Sequence, residues 1–310
     1  MTTQDQAEAV RGDLPAALRR SVLVEPRIRN TAACITLAAV ALATHNPQQV
    51  MVVVPADHWV GDATAYRRAI RAAIGAAVSQ DTIATIGIRP TQPHTGLGYL
   101  CAGAPIRGLS ASLRAFRLAR FVEKPSRGLA QQLLRRPRTY WNTGTFVGTA
   151  DKFLECVTEW LPDHTRRLVP LASVFRRSRG HPSANGFGTG SFIRQAEAAY
   201  RAVQPVSFDH GVMDHLHRGV VVEGRFPWAD LGSWDVWARL GSASSRIIPV
   251  DSANVTVVSQ EPHLVATVGV RDLVVIHTPT ATLICRADRA QSVRDVVKRL
   301  AADPRLASYR

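Results

Sequence analysis

In the stretch QQVMVVVPADHWVGD an aspartate, Asp57, stands directly behind an apolar run and a proline. A short Val-rich run bounded by Pro reads as a strand buried on both faces. Asp57 then falls at the carboxyl end of a strand, the edge where open α/β sheets bind ligands. It either caps a turn or helix or faces a site. A second aspartate, Asp230, sits among aromatic residues and a glycine in FPWADLGSW. A carboxylate in such a setting needs a partner, because isolated buried charge is costly. Glu123 and Lys124 close the strand-like FVEKP, either as a surface ion pair or as a charged pair facing a ligand. In WNTGTF, Asn142 and Thr143 offer neutral hydrogen-bonding groups beside a glycine, a combination suited to sugar hydroxyls. The glycines of HTGLGY, Gly96 and Gly98, allow backbone to approach a ligand closely. EPRIRNTAA ends a strand and opens a helix with Asn30 or Thr31 as its N-cap. The free N–H groups of such a helix start can meet a base or a phosphate.

The elements that must position these groups alternate between the two hydrophobic periods. Ser21–Val24 reads as a strand, 31–44 as an Ala/Leu-rich buried helix, and Gln49–Val54 as the buried strand before Asp57. An amphipathic helix follows over 63–79 with Arg67, Arg68 and Arg71 on its wet face, then an apolar strand over 82–88. This βαβ alternation predicts a parallel or mostly parallel sheet with helices on both faces. Helices are expected from about Asp151 to Trp160 and onward to Phe175, and the Gly/Ser-rich 179–191 reads as an exposed loop. Beyond Leu240 the pattern shifts to short strands near 255–258, 264–268, 273–277 and 282–285, ending in an amphipathic helix over 289–302. The shift predicts two domains, 1–243 and 244–310, and no internal repeat is evident.

Composition narrows the function classes. The 310 residues carry a net charge of +14, which implies either an anionic partner or an arginine-biased solvated surface. The densest basic run, RRPRTYWNTG, is short and aromatics make up 6%, so nucleic acid is not the expected partner. No apolar run approaches the roughly 18 residues of a membrane span. Cys34, Cys101, Cys156 and Cys285 form no Cys-x-x-Cys pair, which argues against a disulfide framework or zinc site and suits a reducing cytoplasm.

Together and in this order, VLVEPRIRNTAA, VVVPADH, IGIRPTQPHTGLGY, FVEKP, YWNTGTF, SFDHGVMD and FPWADLGSW make the chain resemble the mannose-1-phosphate guanylyltransferases (GDP-mannose pyrophosphorylases) of the sugar nucleotidyltransferase superfamily. The resemblance runs over essentially the whole chain. It implies a Rossmann-like, GT-A-like α/β nucleotidyltransferase domain followed by a small C-terminal β-rich domain. It implies formation of GDP-mannose and pyrophosphate from GTP and mannose 1-phosphate with Mg²⁺; the cytoplasmic location expected from the cysteines is compatible with this, and a homo-oligomer is allowed. By the same resemblance Asp57 and Asp230 hold the metal, and Lys124 contacts the sugar phosphate. Glu123, Gly98, Asn142 and Thr143 face the sugar, and Arg29, Asn30 and Thr31 meet the guanine nucleotide. Lys124, Asp57 and Asp230 are the expected catalytic set for an in-line attack of a sugar-phosphate oxygen on the α-phosphorus of GTP. Positioning and charge neutralisation would then supply most of the catalysis.

One family motif has no counterpart here. A glycine-rich loop of the type LAGGSGTRLWPLSR should follow the first strand and cradle the triphosphate on its amides. MTTQDQAEAVRGDLPAAL resembles instead the segment after the second strand. Roughly 60 residues are therefore expected in front, judged against a first βαβ unit and its extension. On that expectation the first strand and phosphate loop are missing, and the 310-residue chain alone is inactive. The alternative is a non-catalytic, sugar-nucleotide-binding relative or fragment that pairs with a complete paralogue.

Overall fold

The computed structural model describes every residue except 20, 108–112, 178–189, 232–245, 260 and 310. The expected loop over 179–191 lies mostly outside the described residues. The chain divides into two units, Met1–Pro55 with Asp62–Phe226, and Ala56–Gly61 with Pro227–Arg310.

The first unit begins with β1 (Thr2–Thr3), α1 (Ala7–Asp13) and α2 (Ala16–Arg19). β2 (Val24–Glu25) pairs in parallel with β1 and leads into α3 (Asn30–Ala43). β3 (Val50–Val53) follows, and then β4 (His58–Val60), which belongs to the second unit. Back in the first unit, α4 (Ala63–Gln80) starts where Asp62 accepts hydrogen bonds from the Thr64 and Ala65 N–H groups, both at 2.9 Å. The cap of this helix is thus Asp62 and not Asp57. After α4 come β5 (Ala84–Ile88), β6 (Tyr99–Pro105), β7 (Ala115–Val122), α5 (Arg127–Arg135) and β8 (Thr139–Thr149). Helices α6 (Ala150–Trp160), α7 (Pro162–Leu168), α8 (Ala172–Arg177), α9 (Gly190–Ala202) and α10 (Phe208–Gly211) precede β9 (Val220–Gly224).

The central sheet has the order β3-β8-β5-β9-β7-β6, with β6 also pairing β8. It is not mostly parallel. β5–β9 is a parallel pair, whereas β3–β8, β5–β8, β6–β7, β6–β8 and β7–β9 are antiparallel. The βαβ reading of β3–α4–β5 holds, since both strands run opposite to β8 and so parallel to each other. The long β8 inserts between them, and sequence alternation cannot reveal that. Helices do cover both faces. Tyr66 of α4 reaches the Thr145 hydroxyl at 3.4 Å, while the next residue of β8, Phe146, packs against Phe208. Side chains one apart on a strand point to opposite faces. Four alanines spaced three or four apart, Ala65, Ala69, Ala73 and Ala76, are buried along α4 and let it lie close to the sheet. On the other face Ile35, Met51, Leu100, Tyr140, Phe146, Phe153, Phe208 and Val221 form the main core.

β3 departs from expectation. Among the described residues it pairs with β8 alone, and Met51 is its one buried residue. Val50, Val52 and Val53 each keep part of their surface exposed, so the apolar run marks a strand of the sheet and not one buried on both faces.

In the second unit β4 pairs with β10 (Trp228–Asp230). Beyond lie β11 (Arg246–Val250), β12 (Ala253–Ser259), β13 (Leu264–Val268), β14 (Arg271–His277), β15 (Thr282–Arg286) and α11 (Val293–Ala302). β11 pairs in parallel with β13, and β12 with β14, each residue facing the one eighteen positions later, as in Arg246↔Leu264 and Ala253↔Arg271. This is an internal repeat, contrary to the sequence reading. Two coils of a parallel β-helix stack with the same left-handed corners. Asp251 and Gly269 have φ of 48° and 65°, and Asn254 and Asp272 both have 55°. The Asn254 amide donates to its counterpart Asp272 at 2.9 Å.

Candidate functional site

Strand register brings three of the singled-out motifs to one end of the sheet. Tyr99, the first residue of β6, pairs with both Val122 of β7 and Trp141 of β8. Gly98, Glu123 and Asn142 are the next residues along the three strands. The Asn142 N–H donates to the Gly98 carbonyl at 2.8 Å. A side chain at Gly98 would meet Glu123 Oε2 at 2.7 Å and Phe121 Cζ at 2.9 Å, so glycine is what lets the carboxylate lie against the backbone. Glu123 is nearly buried, with 8% of its side chain exposed, and its Oε1 accepts from Lys124 Nζ at 2.6 Å; Lys124 itself is 54% exposed. Lys124 has φ of 42° although Pro125 follows, a conformation that costs a non-glycine residue roughly 1–3 kcal/mol. Strain of this size is retained where the surroundings over-determine it, commonly at ligand sites.

The Asn142 side chain is held from both ends. Its Oδ1 accepts from Thr85 Oγ1 at 3.1 Å and from the Gly144 N–H at 3.2 Å, and its Nδ2 donates to Asp209 Oδ1 at 2.8 Å. Burial pushes the Asp209 carboxyl up to about 6; the neighbouring Glu123 charge adds to this, while the residue's own backbone N–H, Lys124 and the Asn142 hydrogen bond oppose it. Thr143 is not gathered here. Its hydroxyl donates to the Ile86 carbonyl at 2.9 Å and is buried.

The helix start at Arg29–Thr31 is more occupied than its sequence suggests. The Arg29 guanidinium donates to the Tyr200 carbonyl at 2.6 Å and the Arg201 carbonyl at 3.3 Å, at the end of α9. Asn30 has φ of 61°, and its side chain accepts from the Thr31 N–H at 2.8 Å. The Ala32 N–H goes to the Val206 carbonyl at 3.1 Å, and the Thr31 hydroxyl accepts from the Phe208 N–H at 2.8 Å. Two of the N–H groups expected to be free are therefore satisfied within the protein. Thr31 also ties this helix start to the residue preceding Asp209.

Asp57 and Asp230 lie in the second unit. Asp230, the last residue of β10, is opposite His58, the residue after Asp57, with His58 Nε2 3.8 Å from Asp230 Oδ1. The His58 ring meets Trp228 edge to face at 5.2 Å. Its Nδ1 is buried and has no hydrogen-bond partner among the described residues. No group of three or more His, Cys, Asp or Glu side chains suited to a metal occurs among the described residues. Carboxylates such as those of Asp57 and Asp230 are the donor type that suits a hard divalent cation such as Mg²⁺, which takes one or two of them and completes its shell with phosphate oxygens and water.

Sequence reasoning missed Asp209. The signal was a carboxylate between apolar residues in VSFDHGVM, the same pattern that drew attention to Asp230.

A mixed sheet with a sugar-suited polar cluster at one end and a following β-helix defines a class. Residues 1–243 match the Nucleotidyl transferase family, and the chain belongs to it. Residues 245–300 match the MannoseP isomerase/GMP-like beta-helix domain. Within the family the similarity is to mannose-1-phosphate guanylyltransferases. The protein of that name from Escherichia coli K12 is 36% identical over 296 residues, covering 93% of this chain and 59% of the relative. Mannose-1-phosphate guanylyltransferase ManC of Salmonella typhimurium is 34% identical over 298 residues, again covering 93% and 59%. The chain thus spans about three fifths of the length of these curated relatives. A crystal structure described as mannose-1-phosphate geranyltransferase from Thermus thermophilus superposes with a TM-score of 0.73 at 31% identity, covering 96% of this chain and 82% of that one. No helix among the described residues is long and apolar enough to cross a membrane.

Proposed function

We propose that this chain serves guanylyl transfer, in which GTP and mannose 1-phosphate give GDP-mannose and pyrophosphate, in the cytoplasm. The observation that carries this reading is the convergence of Gly98, Glu123 and Asn142 through the paired ends of β6, β7 and β8, with Lys124 bound to Glu123. Carboxylate and amide groups match sugar hydroxyls, and an exposed ammonium beside them matches the phosphate. Asp57 and Asp230 would hold Mg²⁺, which when bound neutralises charge on the triphosphate. Lys124 orients the sugar phosphate, whose oxygen attacks the α-phosphorus as pyrophosphate leaves. Glu123 and Asn142 fix the sugar ring so that this oxygen is presented in line. Arg29, Asn30 and Thr31 serve the nucleotide side through the backbone they hold in place. The names of the relatives support the choice of substrates.

The test is calorimetric binding of mannose 1-phosphate to the purified chain, together with pyrophosphate release from GTP plus mannose 1-phosphate in Mg²⁺. Saturable sugar-phosphate binding that Lys124→Ala weakens about tenfold or more is expected, the ordinary scale for a lost charge-assisted hydrogen bond. Absence of binding, or binding indifferent to Lys124, overturns the reading of the sugar site.

A further inference from the structure

A second cluster of charge gathers past the ends of β5 and β9 and before the starts of β7 and β8. Ile88 pairs with both Gly224 and Trp141, so Arg89 and Arg225 stand side by side just beyond their strands, and Arg89 lies opposite Tyr140. Ala115 pairs with Val222, which sets Arg114 opposite Glu223, and the Glu223 N–H donates to the Arg114 carbonyl at 2.9 Å. Side chains two apart on a strand share a face, and Arg225 Nε lies 3.6 Å from Glu223 Oε1. Arg138, two residues before Tyr140, donates to the Gly103 carbonyl at 3.1 Å. Its guanidinium sits 5.6 Å from the centre of the Phe116 ring, which is 6.1 Å from the ring of Tyr140. The four arginines are exposed, whereas Glu223 and Tyr140 are buried. Their charges meet at Tyr140. Burial and the Glu223 carboxylate hold its hydroxyl above the ordinary value, while Arg89, Arg114 and Arg138 pull against them. Beyond its burial, Asp209 answers instead to Glu123 and Lys124, so the sugar cluster and this one are separate sets of charge.

Four guanidinium groups thus stand around one carboxylate. Among the described residues Glu223 is the single carboxylate within ion-pairing distance of any of them. Like charges on neighbouring strand ends repel, and an anion held between them removes that repulsion. Each guanidinium presents a planar fork that matches two oxygens of a phosphate. The basic run RRPRTYWNTG supplies Arg138 and Tyr140, so part of the +14 charge is gathered at a built place and not merely spread over a solvated surface. We infer that Arg89, Arg114, Arg138 and Arg225 form a second anion site that takes the diphosphate group of free pyrophosphate or of a nucleotide, with Glu223 and Tyr140 beneath it. A diphosphate, more than a single phosphate, answers a surplus of charge of this size. The inference goes beyond guanylyl transfer and shares no residue with the site proposed for it.

The experiment titrates inorganic pyrophosphate into the purified chain by calorimetry, at low salt and with EDTA so that no metal contributes. Thermal melting checks that each variant folds. Wild type should bind saturably, and the double variant Arg114→Gln, Arg225→Gln about tenfold or more weakly, the scale of lost charge-assisted hydrogen bonds. Glu223→Gln removes the repelling carboxylate and should bind several-fold more tightly. Arg68→Gln, Arg71→Gln takes the same charge from the exposed face of α4 and should leave the affinity within about twofold. Titration with GTP separates the two sources of the diphosphate: weakened GTP binding in the Arg114, Arg225 double variant supports a nucleotide, and unchanged GTP binding supports free pyrophosphate. Mannose 1-phosphate affinity should be unchanged in that double variant. Absence of pyrophosphate binding to wild type, or an equal loss in the α4 double variant, overturns the inference. Pyrophosphate binding that Lys124→Ala abolishes and the Arg114, Arg225 double variant keeps also overturns it, and leaves the reading of the sugar site standing.

Discussion

Glu25, at the end of β2, offers a test of how the fold tolerates an uncompensated charge. Its Oε2 is buried and has no hydrogen-bond partner among the described residues. Burial pushes its carboxyl from the ordinary 4.5 up to about 7, against the pull of the amino terminus. Its charge in turn helps raise the thiol of Cys34, which burial pushes to about 11, and the buried hydroxyl of Tyr200 is raised as well. Because the folded value lies above the unfolded one, the stability linked to this group is full below pH 4.5. It is lost as pH rises through about 7. The gap sets a ceiling of about 3 kcal/mol. The side chain is only partly buried, and screening by solvent reduces this to about 1–2 kcal/mol. Glu25→Gln removes the titration while keeping the shape. The amide brings its own unsatisfied donors, but that cost does not depend on pH. The variant should therefore gain about 1–2 kcal/mol relative to wild type between pH 5 and pH 8.5. Urea unfolding at the two pH values measures this directly. A relative stability that is flat with pH, or that moves the other way, refutes the assignment of a desolvated carboxylate at this position.

Gly98→Ala places a methyl group against Glu123 and Phe121; mannose 1-phosphate affinity should fall about tenfold or more, read by calorimetry, with a loss of about 1–3 kcal/mol in chemical denaturation. Thr31→Val strips the Phe208 N–H of its acceptor, and unfolding should show a cost of about 1–3 kcal/mol. Asp57→Asn and Asp230→Asn should each abolish Mg²⁺-dependent enhancement of GTP binding while leaving the melting temperature within a few degrees; an unchanged Mg²⁺ response in both would remove them from the metal site. Gly269→Val forces a β-branched residue to φ of 65° at a β-helix corner and should lower stability by about 1–3 kcal/mol in calorimetry.

Local chemistry was legible in the sequence, and long-range pairing was not. The β3–α4–β5 unit followed from hydrophobic period, and the polar residues of FVEKP and WNTGTF declared themselves against apolar surroundings. What the sequence hides is that β8 arrives later in the chain and separates β3 from β5, because strand order is decided by partners far away. The same gap explains the misreading of β3 as doubly covered. The eighteen-residue repeat escaped notice because it is carried by backbone conformation. Asp251 answers to Gly269 and Asn254 to Asp272, pairs with no side-chain identity but the same left-handed φ. At the polar cluster where β6, β7 and β8 end, sequence singled out Gly98, Glu123, Lys124 and Asn142. Asp209 becomes visible when α10 is seen to lay it against the Asn142 amide. The resemblance assigns Arg29 and Thr31 to the nucleotide; what the sequence does not show is that the folded Arg29 side chain also binds the end of α9 and the Thr31 hydroxyl the start of α10.

The position of β8 also sets a timetable for synthesis. β3 and β5 are both made before β8, and from Ile88 to Thr149 the ribosome adds about sixty residues, which at roughly 5–20 residues per second takes about 3–12 s. Through that interval neither β3 nor β5 has the strand it pairs with, and β9 comes later still. Two apolar strands with open edges wait on the nascent chain for a partner that has not been translated. Codon choice between residues 89 and 139 therefore acts on this protein as a folding variable: slow codons there lengthen the exposure, while fast ones shorten it without altering a single amino acid.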